Sequence, residues 1–285
     1  MNEMIYILLP VHNRREITRR FIECLKVQTH QKYHLILIDD GSSDGTSVMV
    51  RENIGSLAVI TGKGDWWWAG ALQQGYDWLK RRGAAATDVV LIANDDTEFE
   101  ADFLEKGIKY LRHNPDALVL ASCYDRETRK WLESGVNVDW SKRSFIPATT
   151  PDDINCLSTR GLFLYVDSLF RIGGFRPLLL PHYLSDYEFT IRARRKGMKL
   201  MSPLEVRLWL DRDTTGIHRS DKETLPVFVN NLFSIKSSSN PFFWSSFIII
   251  ACPWQWKIKH LLIVWIDTLR LIFMCYNRAS KVIEK

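Results

Sequence analysis

The first 125 residues alternate short apolar runs with segments of helical spacing, and this alternation constrains the fold more than any other feature. The runs Ile5–Leu9, Leu35–Ile38, Leu57–Ile60, Val89–Ala93 and Ala117–Ala121 are each a few residues long. Strands with no polar face must be covered on both sides, which is the habit of parallel sheets. The patterns between them, Arg15–Val27, Gly45–Asn53, Gly70–Arg82 and Ala101–His113, supply the covering helices. Right-handed crossovers then wind the chain into an α/β domain with a mostly parallel, doubly wound sheet. Ligands of such sheets bind beyond the carboxyl ends of the strands. The polar residues that terminate the apolar runs are therefore the first candidates for a site.

Composition removes several classes. With 285 residues, 46% of them hydrophobic, the chain buries a proper core and is not disordered. A net charge of +5 without a basic stripe argues against nucleic acid. The five cysteines, Cys24, Cys123, Cys156, Cys252 and Cys275, are scattered and form no CxxC or Cys/His cluster. That excludes a zinc motif and a disulfide framework and fits a reducing, cytoplasmic compartment. The chain enters a strand pattern at Met4 without the features of a signal peptide.

Beyond Tyr124 the texture changes. Trp131 to Trp140 reads as a hairpin, Pro147 to Asn155 as a polar loop and Gly161–Val166 as a further strand. A helix starts near Ser185, which with Glu188 has the form of a capping box.

Five segments carry the chemistry. Leu91-Ile92-Ala93-Asn94-Asp95-Asp96-Thr97 is an apolar run ending in adjacent carboxylates, whose repulsion a hard divalent cation relieves. The same residues also suit a helix cap before Ala101. Pro10-Val11-His12-Asn13-Arg14 breaks the first strand into a polar turn. Ile38-Asp39-Asp40-Gly41 ends the second strand in carboxylates; Asp39 could accept the imide N–H of a uracil or thymine ring. Gly62-Lys63-Gly64-Asp65-Trp66-Trp67-Trp68-Ala69-Gly70 offers close backbone approach at glycine and a cation at Lys63, with core packing the simpler alternative for the tryptophans. Three consecutive tryptophans cannot all face one side, so at least one lines a cleft. Tyr183-Leu184-Ser185-Asp186-Tyr187-Glu188-Phe189 with Arg192 puts charges at a helix start, where cap and dipole compensation is the simpler alternative.

In this order the segments resemble the family 2 glycosyltransferases, inverting enzymes of the GT-A nucleotide-diphospho-sugar transferase fold, from about Ile5 to His218. Pro10 to Arg14 resembles that family's P-x-x-N-R turn. Ile38 to Thr46 is similar to V-D-[DN]-x-S-x-D-[GN]-[ST], and Asn94 to Thr97 to its D-x-D motif or N-x-D-T variant. Tyr183 to Phe189 is similar to Y-x-E-D-x-D-[LF], which implies that Asp186 is the catalytic base, with Glu188 and Arg192 as support. The resemblance further implies that Asp96 and a later histidine, His218, bind the metal. Pro10, Val11, Asn13, Arg14, Asp39, Lys63, Trp68, Gly70, Asn94 and Asp95 would then bind the nucleotide-sugar. Two departures stand out: Asn94 replaces the first aspartate of the metal motif, and Ser185 replaces an acidic neighbour of the base.

The resemblance implies transfer from a UDP- or dTDP-type donor to a glycan hydroxyl with Mn²⁺ or Mg²⁺ as cofactor. Within the family it points to bacterial polysaccharide and O-antigen enzymes of the rhamnosyltransferase-like kind. The implied organisation is a catalytic domain over 1–222, with a donor half 1–123 and an acceptor half 124–222. A nucleotidyltransferase would carry a Gly-rich loop after the first strand, where Pro10–Arg14 has no glycine. A non-catalytic nucleotide-sugar-binding module would not need Asp186 and Glu188.

The remaining 223–285 form a helical appendage. Trp244, Trp254, Trp256 and Trp265, four of eleven tryptophans, gather there beside Lys257, Lys259 and Arg278. Pro241 and Pro253 interrupt the apolar stretch Ser237–Trp256, so a helix pair lying on the cytoplasmic face of a membrane is expected in place of a span. That placement predicts a lipid-linked acceptor; packing against the catalytic domain or a second copy in a homo-oligomer is the alternative.

Overall fold

The computed structural model describes residues 3–210 and 224–283, with side chains through residue 277. The first half contains β1 (Ile5–Val11), α1 (Arg15–Lys26), β2 (Tyr33–Asp39), α2 (Thr46–Asn53), β3 (Leu57–Thr61), α3 (Trp67–Arg82), β4 (Val89–Ile92), β5 (Thr97–Phe99), α4 (Phe103–His113) and β6 (Ala117–Leu120). Next come β7 (Ser122–Asp125), β8 (Trp131–Glu133), β9 (Val136–Asp139), β10 (Ser144–Pro147), β11 (Leu162–Tyr165), α5 (Val166–Ile172) and α6 (Ser185–Arg195). The remainder is β12 (Lys199–Met201), β13 (Arg207–Leu210), α7 (Leu225–Leu232), α8 (Pro241–Ala251) and α9 (Trp254–Ile283).

The central sheet has the order β12-β6-β11-β4-β1-β2-β3. Its pairings are parallel except those of β11, which runs antiparallel to both β4 and β6. Side chains alternate between two cores as the pleat requires. Ile5, Ile7 and Leu9 join Leu35, Leu37, Val89 and Leu91 beneath α1, α2 and α4. Leu8, Ile36, Ile38, Val90 and Ile92 face α3, α5 and α6. On α1, Phe21 and Ile22 each lie one helical turn from Leu25, and all three are buried in the first core. The expected doubly wound α/β layer is thus present. Its order reverses between β1 and β4, where a ligand crevice is expected.

A second sheet, β5-β13-β7-β8, lies beyond the carboxyl edge of the first. The chain passes from one sheet to the other between β6 and β7, with Ala121, the last residue of the expected run, as the link between them. The hairpin expected over Trp131–Trp140 does not form. β8 pairs with β7 and β9 pairs with β10, because Gly135, at φ +124°, redirects the chain between sheets.

The capping box at Ser185 is also absent. Leu184 is the N-cap in the left-handed region, so Ser185 is already inside the first turn. Its hydroxyl donates back to the His182 carbonyl at 2.7 Å, while Glu188 is held by Arg192. A capping box occurs instead at Thr150 and Asp153, around a short 3₁₀ turn in the loop expected there.

In the carboxyl-terminal region Asn240 caps α8 by accepting from the Phe242 N–H at 2.9 Å. Phe247 and Ala251 of α8 are buried with Val136, Val138, Cys156 and Ile191. Arg195 of α6 donates to the carbonyls of Ile250 (3.0 Å) and Ala251. Among the described residues, no helix is long and apolar enough to cross a membrane.

Candidate active site

The loops after β1 and β2 are bound to each other. Val11 accepts from the Asp40 N–H at 2.9 Å. Asn13 adopts a left-handed φ of +51°, donates its N–H to the Ser42 hydroxyl at 2.9 Å and accepts from the Ser43 N–H at 2.8 Å. Pro10 is half-buried within β1, opposite Ile38 and one residue before the strand ends at Val11. Asp39 is buried; it accepts from the Ser42 N–H at 2.8 Å and from the Ser47 hydroxyl. A carboxylate has lone pairs to spare beyond these two bonds.

Asp40 organises the glycine and tryptophan segment. Its carboxylate accepts from the N–H groups of Gly64 (2.8 Å), Trp66 (2.8 Å) and Trp67 (3.2 Å). A negative charge at the start of α3 is favoured by the helix dipole, which explains why that helix begins earlier than Gly70. Gly62 must be glycine, since a Cβ there would lie 2.5 Å from Asp40 Oδ1. Gly70 is buried in the first turn of α3, close beneath Trp66, and Lys63 is exposed. Trp68 packs into the core beside α3 and donates from Nε1 to Thr159 at 3.3 Å. Trp67 has a left-handed φ of +55° and meets His182 edge-on at 5.8 Å and Lys236 at 5.8 Å.

Beyond β4, Asp95 and Asp96 face Arg14. The Arg14 Nη2 donates to Asp96 Oδ2 at 3.3 Å. Its Nε lies 3.2 Å from Asp95 Oδ1 but is not directed at it, so that contact is an ion pair without a hydrogen bond. Thr18 donates to Asp95 Oδ2 at 2.9 Å. The two carboxylates are only 5% and 3% exposed. Burial pushes the Asp95 pKa up to about 6, against the opposing pull of Arg14 and Thr18. Asp96 Oδ1 and Asn94 Oδ1 are buried without hydrogen-bond partners.

On the far side, Asp186 sits in the first turn of α6, following the left-handed Leu184 at φ +66°. Its Oδ1 accepts from the Tyr187 N–H at 2.9 Å. Asp186 is half-buried, and the loss of solvation raises its pKa to about 6, overcoming that hydrogen bond and the attraction of Arg160. Glu188 is turned elsewhere: it forms a bidentate pair with Arg192, at 2.9 Å for both bonds, and meets Arg176 at 3.6 Å. Arg192 also donates to the carbonyls of Ile172 (2.6 Å) and Gly174 (2.7 Å), pinning the loop before α6. The carboxylate whose charge reaches Asp186 is Glu133 of β8.

A family model described as Glycosyl transferase family 2 matches residues 6–164, from β1 into β11 and over more than half of the chain. The chain belongs to glycosyltransferase family 2. A search of curated proteins finds no match.

The arrangement brings the Pro10–Arg14 turn, the Asp95 and Asp96 carboxylates and Asp186 around one edge of the sheet. The link between its halves is Arg160, which precedes β11. Arg160 lies 3.6 Å from Glu133 and feels the charges of Asp96 and Glu133 across a largely buried setting. Its Nε is buried without a hydrogen-bond partner. Arg160 and Glu133 carry no motif in the sequence. Because β11 is antiparallel, its beginning lies at the ligand edge, a fact that strand pattern alone does not give.

The residues fit a divalent cation in part. Asp96 Oδ1 and Asn94 Oδ1 are hard oxygen atoms without protein partners. No cluster of three or more His, Cys, Asp and Glu forms among the described residues. A partial protein shell is usual for Mg²⁺ or Mn²⁺ at phosphate sites, where phosphate and water complete the coordination. His218, the other expected ligand, lies outside the described residues.

Proposed function

We propose that this glycosyltransferase moves a sugar from a nucleoside-diphosphate donor of the UDP or dTDP type to a hydroxyl of a glycan acceptor, inverting the anomeric carbon. The observation that carries this reading is Asp186, a carboxylate at the mouth of α6 whose pKa is raised to about 6. Such a group is ionised at neutral pH yet far more basic than an ordinary aspartate. Asp186 takes the proton as the acceptor oxygen bonds to the anomeric carbon. The bond from that carbon to the diphosphate breaks on the opposite face, and its electron pair leaves with the diphosphate.

The loops Pro10–Arg14 and Asp39–Ser43 cradle the nucleoside, with Lys63, Trp68 and Gly70 behind them. Asp96 and Asn94 would hold Mn²⁺ or Mg²⁺, with His218 completing the set. When bound, the metal supplies positive charge to the departing diphosphate. Arg14 and Arg160 hold the carboxylates and present cationic surface at the same place. Asp95, tied to Thr18 and Arg14, positions that turn. The acceptor is a lipid-linked glycan in cell-surface polysaccharide synthesis, of the O-antigen or rhamnosyltransferase-like kind. The enzyme works as a peripheral protein on the cytoplasmic face of the membrane.

The test is a panel of nucleotide sugars assayed for hydrolysis and transfer with Mn²⁺, Mg²⁺ or chelator, using wild type and Asp186→Asn. Donor binding retained in the variant while turnover collapses supports the reading. Turnover equal to wild type would remove Asp186 as base.

A further inference from the structure

One side of α9 is a stripe of large exposed side chains, at whose middle Phe242 of α8 meets Trp265 edge-on at 5.4 Å. Trp254, Ile258, Leu262, Trp265, Leu269 and Phe273 are 37% to 83% exposed. Their spacing of three and four residues places them in an arc about 100° wide on the helix. The stripe runs about 30 Å. The opposite side of α9 is fixed: His260, Val264 and Thr268 are buried, and His260 Nε2 lies 2.5 Å from the Trp140 carbonyl. The helix therefore cannot roll to hide its apolar face without breaking this packing.

Charge decides what covers the stripe. Between Trp254 and Asn277 the charged residues are Lys257, Lys259, Arg270 and Asp267, with His260 buried. The one acid, Asp267, is held by Arg143 at 2.7 Å and lies 3.6 Å from Arg270, whose side chain stays mostly exposed. A second copy of the same helix would bring like charges together along the flanks. Anionic headgroups match them instead, and Trp254 and Trp265 have the amphipathic rings that favour a membrane interface. We infer that α9 lies in the plane of an anionic membrane surface, its stripe in the acyl boundary and Lys257, Lys259 and Arg270 at the headgroups.

This contact is mechanically joined to the site. α8 packs on α9 and on α6. Phe247 of α8 meets Trp140 at 5.7 Å, and Phe145 stacks on Tyr187, next to Asp186, at 5.8 Å. A membrane under α9 thus fixes the direction from which a lipid-linked acceptor meets the base. That consequence rests on the proposed glycosyl transfer; the membrane contact does not, and it is read without any sugar.

The experiment is flotation of the full chain with vesicles of phosphatidylcholine plus phosphatidylglycerol, and of phosphatidylcholine alone. Wild type should rise with the anionic vesicles. A Leu262→Asp/Phe273→Asp variant, checked for an unchanged melting transition, should lose binding by about tenfold or more. Lys259→Glu/Arg270→Glu keeps every stripe residue and should bind anionic vesicles several-fold less. It too is checked for an unchanged melting transition, because Lys259 donates to the Ser141 carbonyl and Arg270 pairs with Asp267. Wild type remaining at the bottom, or either variant floating like wild type, overturns the inference. So does a dimer in sedimentation equilibrium that the Leu262/Phe273 variant dissolves, since the stripe would then belong to a second copy. Failure of glycosyl transfer alone would show as floating protein without turnover on any nucleotide sugar.

Discussion

Asp186 and Asp95 are two aspartates held near a pKa of about 6, against an ordinary 3.8, by burial. The folded protein therefore binds their protons more tightly than the unfolded chain does. Stability from this source is present at acid pH and falls as pH rises from about 4 to about 6. Activity has the opposite slope, since a base works only when ionised. Turnover should climb through pH 6 and level off above it, and Asp186→Asn should lose about 10²–10⁴-fold and flatten that limb. The same substitution should raise Tm above pH 6 and change it little at pH 4, because it removes a poorly solvated charge. A limb that survives in Asp186→Asn would assign the titration to another group. At the metal side, Asp96→Ala should abolish Mn²⁺-stimulated donor binding, read by calorimetry. Asp95→Asn should weaken it less, because Asp95 is already engaged by Thr18 and Arg14. Arg160→Met should lower turnover about tenfold or more, while the circular dichroism of the fold stays unchanged.

At the scale of elements, period and polarity in the sequence were enough to place β1 to β4, β6 and the four helices among them. Each of those strands is apolar on both faces, a pattern local to the strand. The small sheet escaped because its strands are three or four residues long and take partners far away in the chain, as β13 does with β5 and β7. Site residues follow the same division. Asp39 and Asp40 are equally visible at the end of β2, yet alternation alone does not say which faces the glycine loop. Only tertiary structure shows Asp40 gathering three N–H groups. Asp40→Ala should therefore cost about 2 kcal/mol or more, as a lost helix cap plus unpaired amides. Urea denaturation would measure it. Donor affinity should fall in the same variant as the Gly62–Trp67 segment loosens. A stability within error of wild type would mean that these amides find other partners. Asn13, Trp67 and Leu184 all hold left-handed backbone at the entrance to a helix bordering the cleft. Such strain persists only where surrounding bonds enforce it.

Across the whole molecule, the last two helices differ: α8 completes the core and α9 faces outward. A sequence reading takes everything beyond the last motif as a single appendage, because both helices are apolar. Packing separates them: Phe247 and Ala251 of α8 close a core containing Ile191 of α6, whereas α9 turns its largest side chains outward. Two truncations should therefore behave differently. Ending the chain after Ser237 removes α8 and uncovers that core, along with the carbonyls that hold Arg195. This protein should aggregate or melt well below wild type, since losing even one buried Phe typically costs about 3–5 kcal/mol. Ending it after Pro253 removes α9 but keeps α8 seated on α6. Val264 and the His260 contact are lost, so Tm should fall modestly, while nucleotide-sugar binding is retained and vesicle flotation disappears. Scanning calorimetry and flotation on the two proteins decide the matter. If both fold equally well, α8 adds nothing to the catalytic core and the aromatic link from α9 to Tyr187 carries no mechanical coupling. If both unfold, α9 is as structural as α8, and the outward stripe is the exposed side of a helix the fold cannot lose.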